Sequence, residues 1–122
     1  MKIQSYKELT VWQRSIELVK EIYRLSKFLP AREQFILCAQ IIRAAISIPA
    51  NIAEGWGRNH KLEFIRFLNI AYGSSTELET HLIIAKDEYS KIDFSGAENL
   101  NLEVQKMLTS LVIKMKNSSA KW

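Results

Sequence analysis

The stretch CAQIIRAAISIPANIAEGWGR, residues 38–58, decides the fold because an apolar helical stripe runs through it and across a proline. The stripe consists of residues that follow one another at steps of three and four: Cys38, Ile41, Ala45, Ile48 and Ile52. This spacing is typical of one face of an α-helix. Because the stripe crosses Pro49 in phase, it predicts one kinked helix. A fresh helix that starts with Pro49 as its first residue is the alternative.

Similar periodicity on either side of this stretch predicts four helices, at about 7–26, 34–56, 60–86 and 96–117. The third has a heptad-like seam: Phe64, Leu68, Ala71, Ser75, Leu78, Leu82 and Ala85. Short connections between long helices favour antiparallel neighbours. The sequence therefore predicts a single domain over residues 1–122, an all-α, up-down-up-down antiparallel four-helix bundle.

Local signals predict where these helices begin and end. Gly55 and Gly57 are expected to end the second helix, and Asn59 to cap the third. The fourth is expected to open with a capping box of Ser95 and Glu98. Gly73 interrupts the third helix, where it costs about 1 kcal/mol relative to alanine. We expect a neighbouring helix to approach closely at that position.

The second helix carries more apolar surface than one seam requires. Beside its core stripe, a further face holds Ile42, Ile46, Pro49 and Ala53. A monomer would expose this face, and large exposed apolar patches usually mark interfaces. We therefore predict a homo-oligomer.

The composition is that of an ordinary globular protein, with 48% hydrophobic and 25% charged residues. The net charge of +4 permits contact with nucleic acid or an acidic partner. Cys38 is the only cysteine, which excludes an intrachain disulfide and a thiolate metal cluster. No apolar run is long enough for a membrane span or a signal core, so we expect a cytoplasmic protein without membrane partners.

A narrow polar ridge also follows the second helix: Gln40, Arg43, Ser47, Asn51, Glu54 and Arg58. One interpretation is a solvated face with an ion pair between Glu54 and Arg58, four residues apart. The other is a polar seam inside an oligomer or a lined channel, which the apolar surface on both sides favours. The pattern leaves both open.

A small basic cluster follows the ridge, at GRNHK (residues 57–61) with Arg66 shortly after. Such cations could bind phosphate together with the free N–H groups of a helix N-terminus, or they could form a solvated turn. The tail adds Lys106, Lys114, Lys116 and Lys121. Trp56 could stack on a base or close the end of the core.

Enzymatic chemistry has little support in the sequence. His60 and His81 are the only histidines, and although Glu77 and His81 lie four residues apart, the paired Glu-x-x-His motif of di-iron bundles is missing. Phosphate-binding glycine loops and serine-centred motifs are missing as well. We predict no catalytic residues, no metal site and no cofactor.

Three segments together resemble the 23S rRNA intervening-sequence protein family of bacterial four-helix bundle proteins. They are LTVWQRSIELVKEIY, QIIRAAISIPANIAEGWGR and EFIRFLNIAYGSSTELETHL, and the match spans roughly residues 6–86. Family members are similar to the accessory protein of diversity-generating retroelements, a pentameric barrel that binds nucleic acid and a reverse transcriptase. The resemblance implies a homopentamer with a nucleic-acid role and without enzymatic activity.

The resemblance maps family-like polar positions onto the ridge and onto Glu77 and Glu79. At Ile42-Arg43, where the family commonly has two basic residues, this chain has one, which weakens expected RNA binding. After Lys86 the chain also departs from the family, whose turn is usually more apolar than DEYSKIDF.

Two functions follow from the sequence. The first is an oligomeric RNA-binding protein that uses Arg43, Arg58, Lys61 and Arg66, with Gln40, Ser47, Asn51 and Glu54 in a structural or oligomer ridge. The second is an assembly module whose partner is another protein.

Overall fold

The computed structural model describes residues 3–118 and contains four long helices in that range. Their bounds are Thr10–Ser26 (α1), Leu37–Gly57 (α2), Lys61–Glu88 (α3) and Ser95–Asn117 (α4). Short 3₁₀ helices at Tyr6–Glu8 and Ala31–Glu33 precede α1 and α2. Residues 3–118 contain no β-strand, so the all-α class is confirmed.

The four helices contact one another in a closed cycle. Helix α1 packs against α2 and α4, and α3 packs against the same two helices. Because consecutive helices are neighbours joined by short connections, they run up-down-up-down, as predicted. One end of the bundle therefore holds the start of α1, the α2–α3 turn and the end of α4. We call this the α2–α3 end, and the other the α1–α2 end.

Helix α2 continues through Pro49, and the alternative of a fresh helix is wrong. Every residue of its predicted stripe is buried, on both sides of the proline. The seam of α3 is buried along its whole length as well. Because both stripes are buried in the same core, α2 and α3 pack against each other.

Helices α2 and α3 approach each other closely at Gly55. A Cβ atom there would lie 2.6 Å from the Cβ of Phe67 and 3.2 Å from Cδ1 of Phe64. The prediction for Gly73 is wrong, since a Cβ there would meet nothing within 4 Å among the described residues. Gly73 lies on the outer face of α3, whereas Gly55 faces the neighbouring helix.

Two predicted helix caps are also wrong. Asn59 does not cap α3; it adopts a left-handed conformation (φ 54°) just beyond α2, which asparagine tolerates better than most residues. Ser95 is already the first residue of α4, and its backbone N–H donates to Oδ1 of Asp93 at 2.9 Å. The Asp93 carboxylate thus takes the place of the expected capping box.

The second apolar face of α2 is largely covered within the chain. Pro49 is buried, Ile42 packs against the core and Ala53 is half-buried, which leaves Ile46 as the exposed large member. Helix α1 is one of the two long helices that pack against α2. This face is therefore less exposed than the sequence suggested, and the homo-oligomer stays a prediction.

Candidate nucleic-acid interface

Three of the four predicted phosphate-binding residues come together at the α2–α3 turn. Arg58 ends α2, Lys61 begins α3, and Arg66 lies in the second turn of α3. Arg43 does not join them, since it lies fifteen residues before Arg58 on α2, which is about 22 Å along a helix. The site is thus built around the turn, and Arg43 stands apart on the exposed face of α2.

Acidic neighbours hold the two arginines of this cluster. Nη2 of Arg58 donates to Oε2 of Glu54 at 2.8 Å, and its Nη1 lies 4.0 Å from Oε1 of Glu63. Nε of Arg66 donates to Oε2 of Glu63 at 2.9 Å, and this hydrogen bond holds the pKa of Glu63 below its usual value. The carboxylates keep both guanidinium groups oriented and offset part of their charge.

The same two guanidinium groups flank one aromatic ring. The centre of the Arg58 guanidinium lies 5.1 Å from the Phe67 ring centroid, and that of Arg66 lies 4.5 Å from it. These are cation–π distances, and the buried Phe67 lies close to Gly55 of α2. The sequence did not reveal this arrangement, although Phe67 follows Arg66 directly.

Lys61 links the turn to the end of α4. Its Nζ donates a hydrogen bond to the backbone carbonyl of Ser118. Of the lysines predicted to add to the cluster, Lys114 and Lys116 lie in the last turn of α4 at this end, and Lys106 lies at the middle of α4, near the start of α1. Lys121 lies outside the described residues.

Charge is distributed unevenly between the two ends of the described structure. The α2–α3 end holds seven basic residues: Lys7, Arg58, Lys61, Arg66, Lys106, Lys114 and Lys116. It holds three acidic ones: Glu8, Glu54 and Glu63. Arg14, Glu17 and Glu103 lie near the middle of the bundle and are left out of both counts. The α1–α2 end holds the remaining charged residues of the described structure, eight acidic and seven basic. The positive potential of residues 3–118 is therefore concentrated at the α2–α3 end.

The polar ridge of α2 is not one continuous surface. Oγ of Ser47 lies 2.8 Å from Oγ of Ser74 on α3, and Nδ2 of Asn51 donates to the carbonyl of Ser47 at 2.8 Å. Ser47 thus serves the α2–α3 contact and Asn51 bonds back to Ser47 within α2, whereas Gln40 and Glu54 lie exposed on either side. The middle of the ridge is used within the chain.

Of the two interpretations of Trp56, the structure favours core closure. Its ring packs edge-on against Phe64, with the ring centroids 6.1 Å apart, and contacts the core. Cys38 is buried in the same core, and this burial raises the pKa of its thiol. Within residues 3–118 no three His, Cys, Asp or Glu side chains lie close enough to bind a metal ion.

Comparisons with known proteins agree with the fold and the quoted motifs. Residues 7–110 match the family model described as 23S rRNA-intervening sequence protein. The chain is also similar to the crystal structure of a protein of unknown function from the S23 ribosomal protein family of Bacteroides thetaiotaomicron. That similarity has 31% identity and a TM-score of 0.77, and covers 84% of this chain and 98% of that one. No curated protein matches the chain. None of the described helices is both long and apolar enough to cross a membrane.

Proposed function

Because this chain belongs to the 23S rRNA-intervening sequence protein family, we propose that it is a non-enzymatic cytoplasmic protein that self-assembles and binds structured RNA. The observation that carries RNA binding is the concentration of basic side chains at the α2–α3 end. Phosphate contacts depend on such clustered cations. The descriptions of the family and of the similar structure name 23S rRNA and a ribosomal protein family, which favours RNA over DNA.

Within this end, the lysines and arginines have different roles. Arg58 and Arg66 are oriented by Glu54 and Glu63, so they would contact phosphate in a fixed geometry. The lysines on α4 are exposed at Lys106, Lys114 and Lys116, and widen the basic surface. Arg43 lies too far from the turn to share one phosphate group with it, so we assign it a peripheral contact.

Neutralising the turn should weaken RNA binding. We expect the triple variant Arg58→Gln, Lys61→Gln, Arg66→Gln to lose at least about tenfold in affinity for a structured RNA at about 50 mM salt. The slope of log affinity against log salt should become less steep, by up to about 0.9 for each phosphate that the variant no longer neutralises. Fluorescence anisotropy over a salt series measures both quantities.

A matched control removes the same charge from the α1–α2 end: Lys20→Gln, Lys27→Gln and Lys91→Gln, all at exposed positions. Its affinity should stay close to that of the unchanged protein. If both triple variants lose affinity equally, net charge alone explains binding. If the unchanged protein does not bind structured RNA at this salt concentration, the RNA function is wrong.

A protein partner in place of RNA is the second candidate. It is favoured by the acidic neighbours of Arg58 and Arg66, which offset part of the positive charge, and by the large apolar side chains that the bundle leaves exposed. A pull-down that returns one specific protein and no nucleic acid would favour this function. Self-assembly is common to both candidates, and the resemblance to the retroelement accessory protein makes a homopentamer the expected form.

A further inference from the structure

A small cleft lies between α3 and α4, in the half of the bundle away from the α2–α3 end. Its volume is about 130 Å³, below the range of about 300–1,000 Å³ typical of pockets for drug-sized ligands. Six residues line it: Glu79, Leu82 and Ile83 of α3, and Glu98, Asn101 and Leu102 of α4. Because three of them are polar and three aliphatic, the cleft suits a small ligand that combines both characters.

The most deeply buried polar group of the cleft has an unused acceptor. Asn101 is only 2% exposed, and its Nδ2 donates to the carbonyl of Ser75 at 2.9 Å. Since a carbonyl can only accept, this hydrogen bond fixes the orientation of the amide and leaves Oδ1 on the other side. Oδ1 has no hydrogen-bond partner among residues 3–118. A buried acceptor without a partner is destabilising, so a donor from outside the chain is favoured at this position.

Two carboxylates complete the polar side of the cleft. Glu79 is exposed and Glu98 is half-buried. Oε1 of Glu79 accepts from Nε2 of Gln105 at 3.4 Å, and Oε1 of Glu98 accepts from Nζ of Lys86 at 3.5 Å. Both distances are long for hydrogen bonds, and a carboxylate accepts at about four positions. Both side chains therefore retain acceptor capacity for a ligand.

Negative charge is in excess around the cleft on both helices. Within one turn of the lining residues, α3 and α4 carry five acidic residues and two basic ones: Glu77, Glu79, Asp87, Glu98 and Glu103, with Lys86 and Lys106. Glu103 is paired with Arg14 of α1, which leaves four acidic residues against two basic ones. Lys106 lines a different surface, between α1 and α4. Lys86 is thus the cation that offsets part of the charge of the cleft.

The chemistry of the lining favours an alkylammonium ligand. Oδ1 of Asn101 and the two carboxylates offer acceptors, and a primary ammonium group carries a positive charge and three N–H donors. Leu82, Ile83 and Leu102 form an aliphatic wall, along which methylene chains pack well. A calcium ion usually takes about six to eight oxygen ligands, more than these three polar side chains readily supply, and gains nothing from an aliphatic wall.

We propose that the α3–α4 cleft binds a primary ammonium group on an aliphatic chain. The ammonium lies between Oδ1 of Asn101, Glu79 and Glu98, and the chain packs against Ile83 and Leu102. Two sources share this chemistry: a free polyamine and the lysine side chain of a partner molecule. Because the cleft lies apart from the basic α2–α3 end, the proposal does not depend on RNA binding there.

A titration with butylammonium chloride tests the site. In protein labelled with ¹⁵N-asparagine, butylammonium should shift the side-chain NH₂ signal of Asn101 and reach saturation. Butyltrimethylammonium has the same charge and chain but no N–H donor, so it should leave this signal unchanged. Spermidine and Nα-acetyl-lysine methylamide then separate the two sources. If spermidine binds more tightly, a free polyamine is the source; otherwise it is a partner's lysine.

Two variants of the cleft should have opposite effects on butylammonium affinity. Glu79→Gln with Glu98→Gln should lower it at least about tenfold, because two charged acceptors are lost. Lys86→Gln should raise it about two- to fivefold, because the competing ammonium no longer contacts Glu98. As a matched control, Glu77→Gln with Glu88→Gln changes the net charge equally at exposed positions outside the lining, and should keep the affinity within about twofold.

Three results would each overturn the proposal. If butylammonium leaves the Asn101 signal unchanged, the cleft holds only water. If butyltrimethylammonium shifts the signal equally, or the control pair weakens binding as much as the cleft pair, the amine responds to general negative charge and not to this site. Circular dichroism of each variant shows that the helices are retained.

Discussion

Ile48→Ala and Ile52→Ala are each expected to lower the free energy of unfolding by about 2–5 kcal/mol, the usual cost of truncating a large buried aliphatic side chain. Both side chains are completely buried, one just before Pro49 and one just after it. The cost arises because the truncated side chain buries less apolar surface and the tightly packed core cannot close the cavity. Urea unfolding at a fixed protein concentration measures this cost, since the proposed self-assembly would make stability depend on concentration.

Ile46→Ala is the matched control on the same helix. Ile46 is 42% exposed, and its truncation should change the free energy of unfolding by only about 0.5 kcal/mol. A large cost at Ile48 with a small one at Ile52 would contradict a single buried face that continues across the proline. It would instead support separate helical segments on the two sides of Pro49.

Gly55→Ala should destabilise the protein by about 1–3 kcal/mol, the usual cost of overpacking a core. The added methyl group would meet Phe67 Cβ at 2.6 Å, and this atom is attached directly to the α3 backbone, so α2 and α3 would have to separate. Thermal and urea unfolding of the variant measure the loss.

Gly73→Ala provides the opposite expectation for the same substitution. A methyl group at this exposed helical position meets nothing within 4 Å, and alanine is favoured over glycine in a helix by about 0.5–1 kcal/mol. The variant should therefore be more stable than the unchanged protein. A loss of stability at Gly73 comparable to that at Gly55 would show that another surface covers this face of α3.

The sequence predicts the fold well where one physical signal dominates. The stripe of α2 and the seam of α3 persist over many turns. If either helix were rotated about its axis by one residue, most of these apolar side chains would turn away from the core. The same phase argument carries α2 through Pro49, where a local rule alone would have divided the helix. The resemblance to the family adds the quoted motifs, and the comparisons confirm that assignment.

Short-range sequence signals do not predict helix caps and packing glycines reliably, because several nearby residues can fill the same role. Ser95 and Glu98 fit a capping box, but Asp93 provides the hydrogen bond two residues earlier. Gly73 resembles a packing glycine in the same way as Gly55, and only the positions of the neighbouring helices separate the two. Such outcomes depend on tertiary contacts that periodicity does not encode.

Buried polar residues show the same limit. Nδ2 of Asn101 and Nε2 of Gln105 both donate to the carbonyl of Ser75, at 2.9 and 3.3 Å, and so join α4 to α3. The sequence placed Ser75 on the α3 seam but did not identify its partners. Their spacing with Val104 and Leu108 on one face of α4 was the available signal.

The candidate site was only partly predictable. The sequence correctly predicted that Arg58, Lys61 and Arg66 form one cluster near the lysines of α4. It wrongly placed Arg43 in the same site, since Arg43 lies apart from the others. It also did not show that Glu63 pairs with both arginines, since that depends on how α2 turns into α3. The sequence also did not show that Phe28, Phe35 and Ile36 are exposed, because these residues lie off the apolar phase of both α1 and α2.

Self-assembly is decided by the native mass of the unchanged protein. Size-exclusion chromatography with light scattering at low micromolar concentration provides this mass. We predict a single species of several copies, with a mass near five times 14.1 kDa if the assembly is the expected homopentamer. A clean monomer of 14.1 kDa under these conditions would show that the protein does not self-assemble.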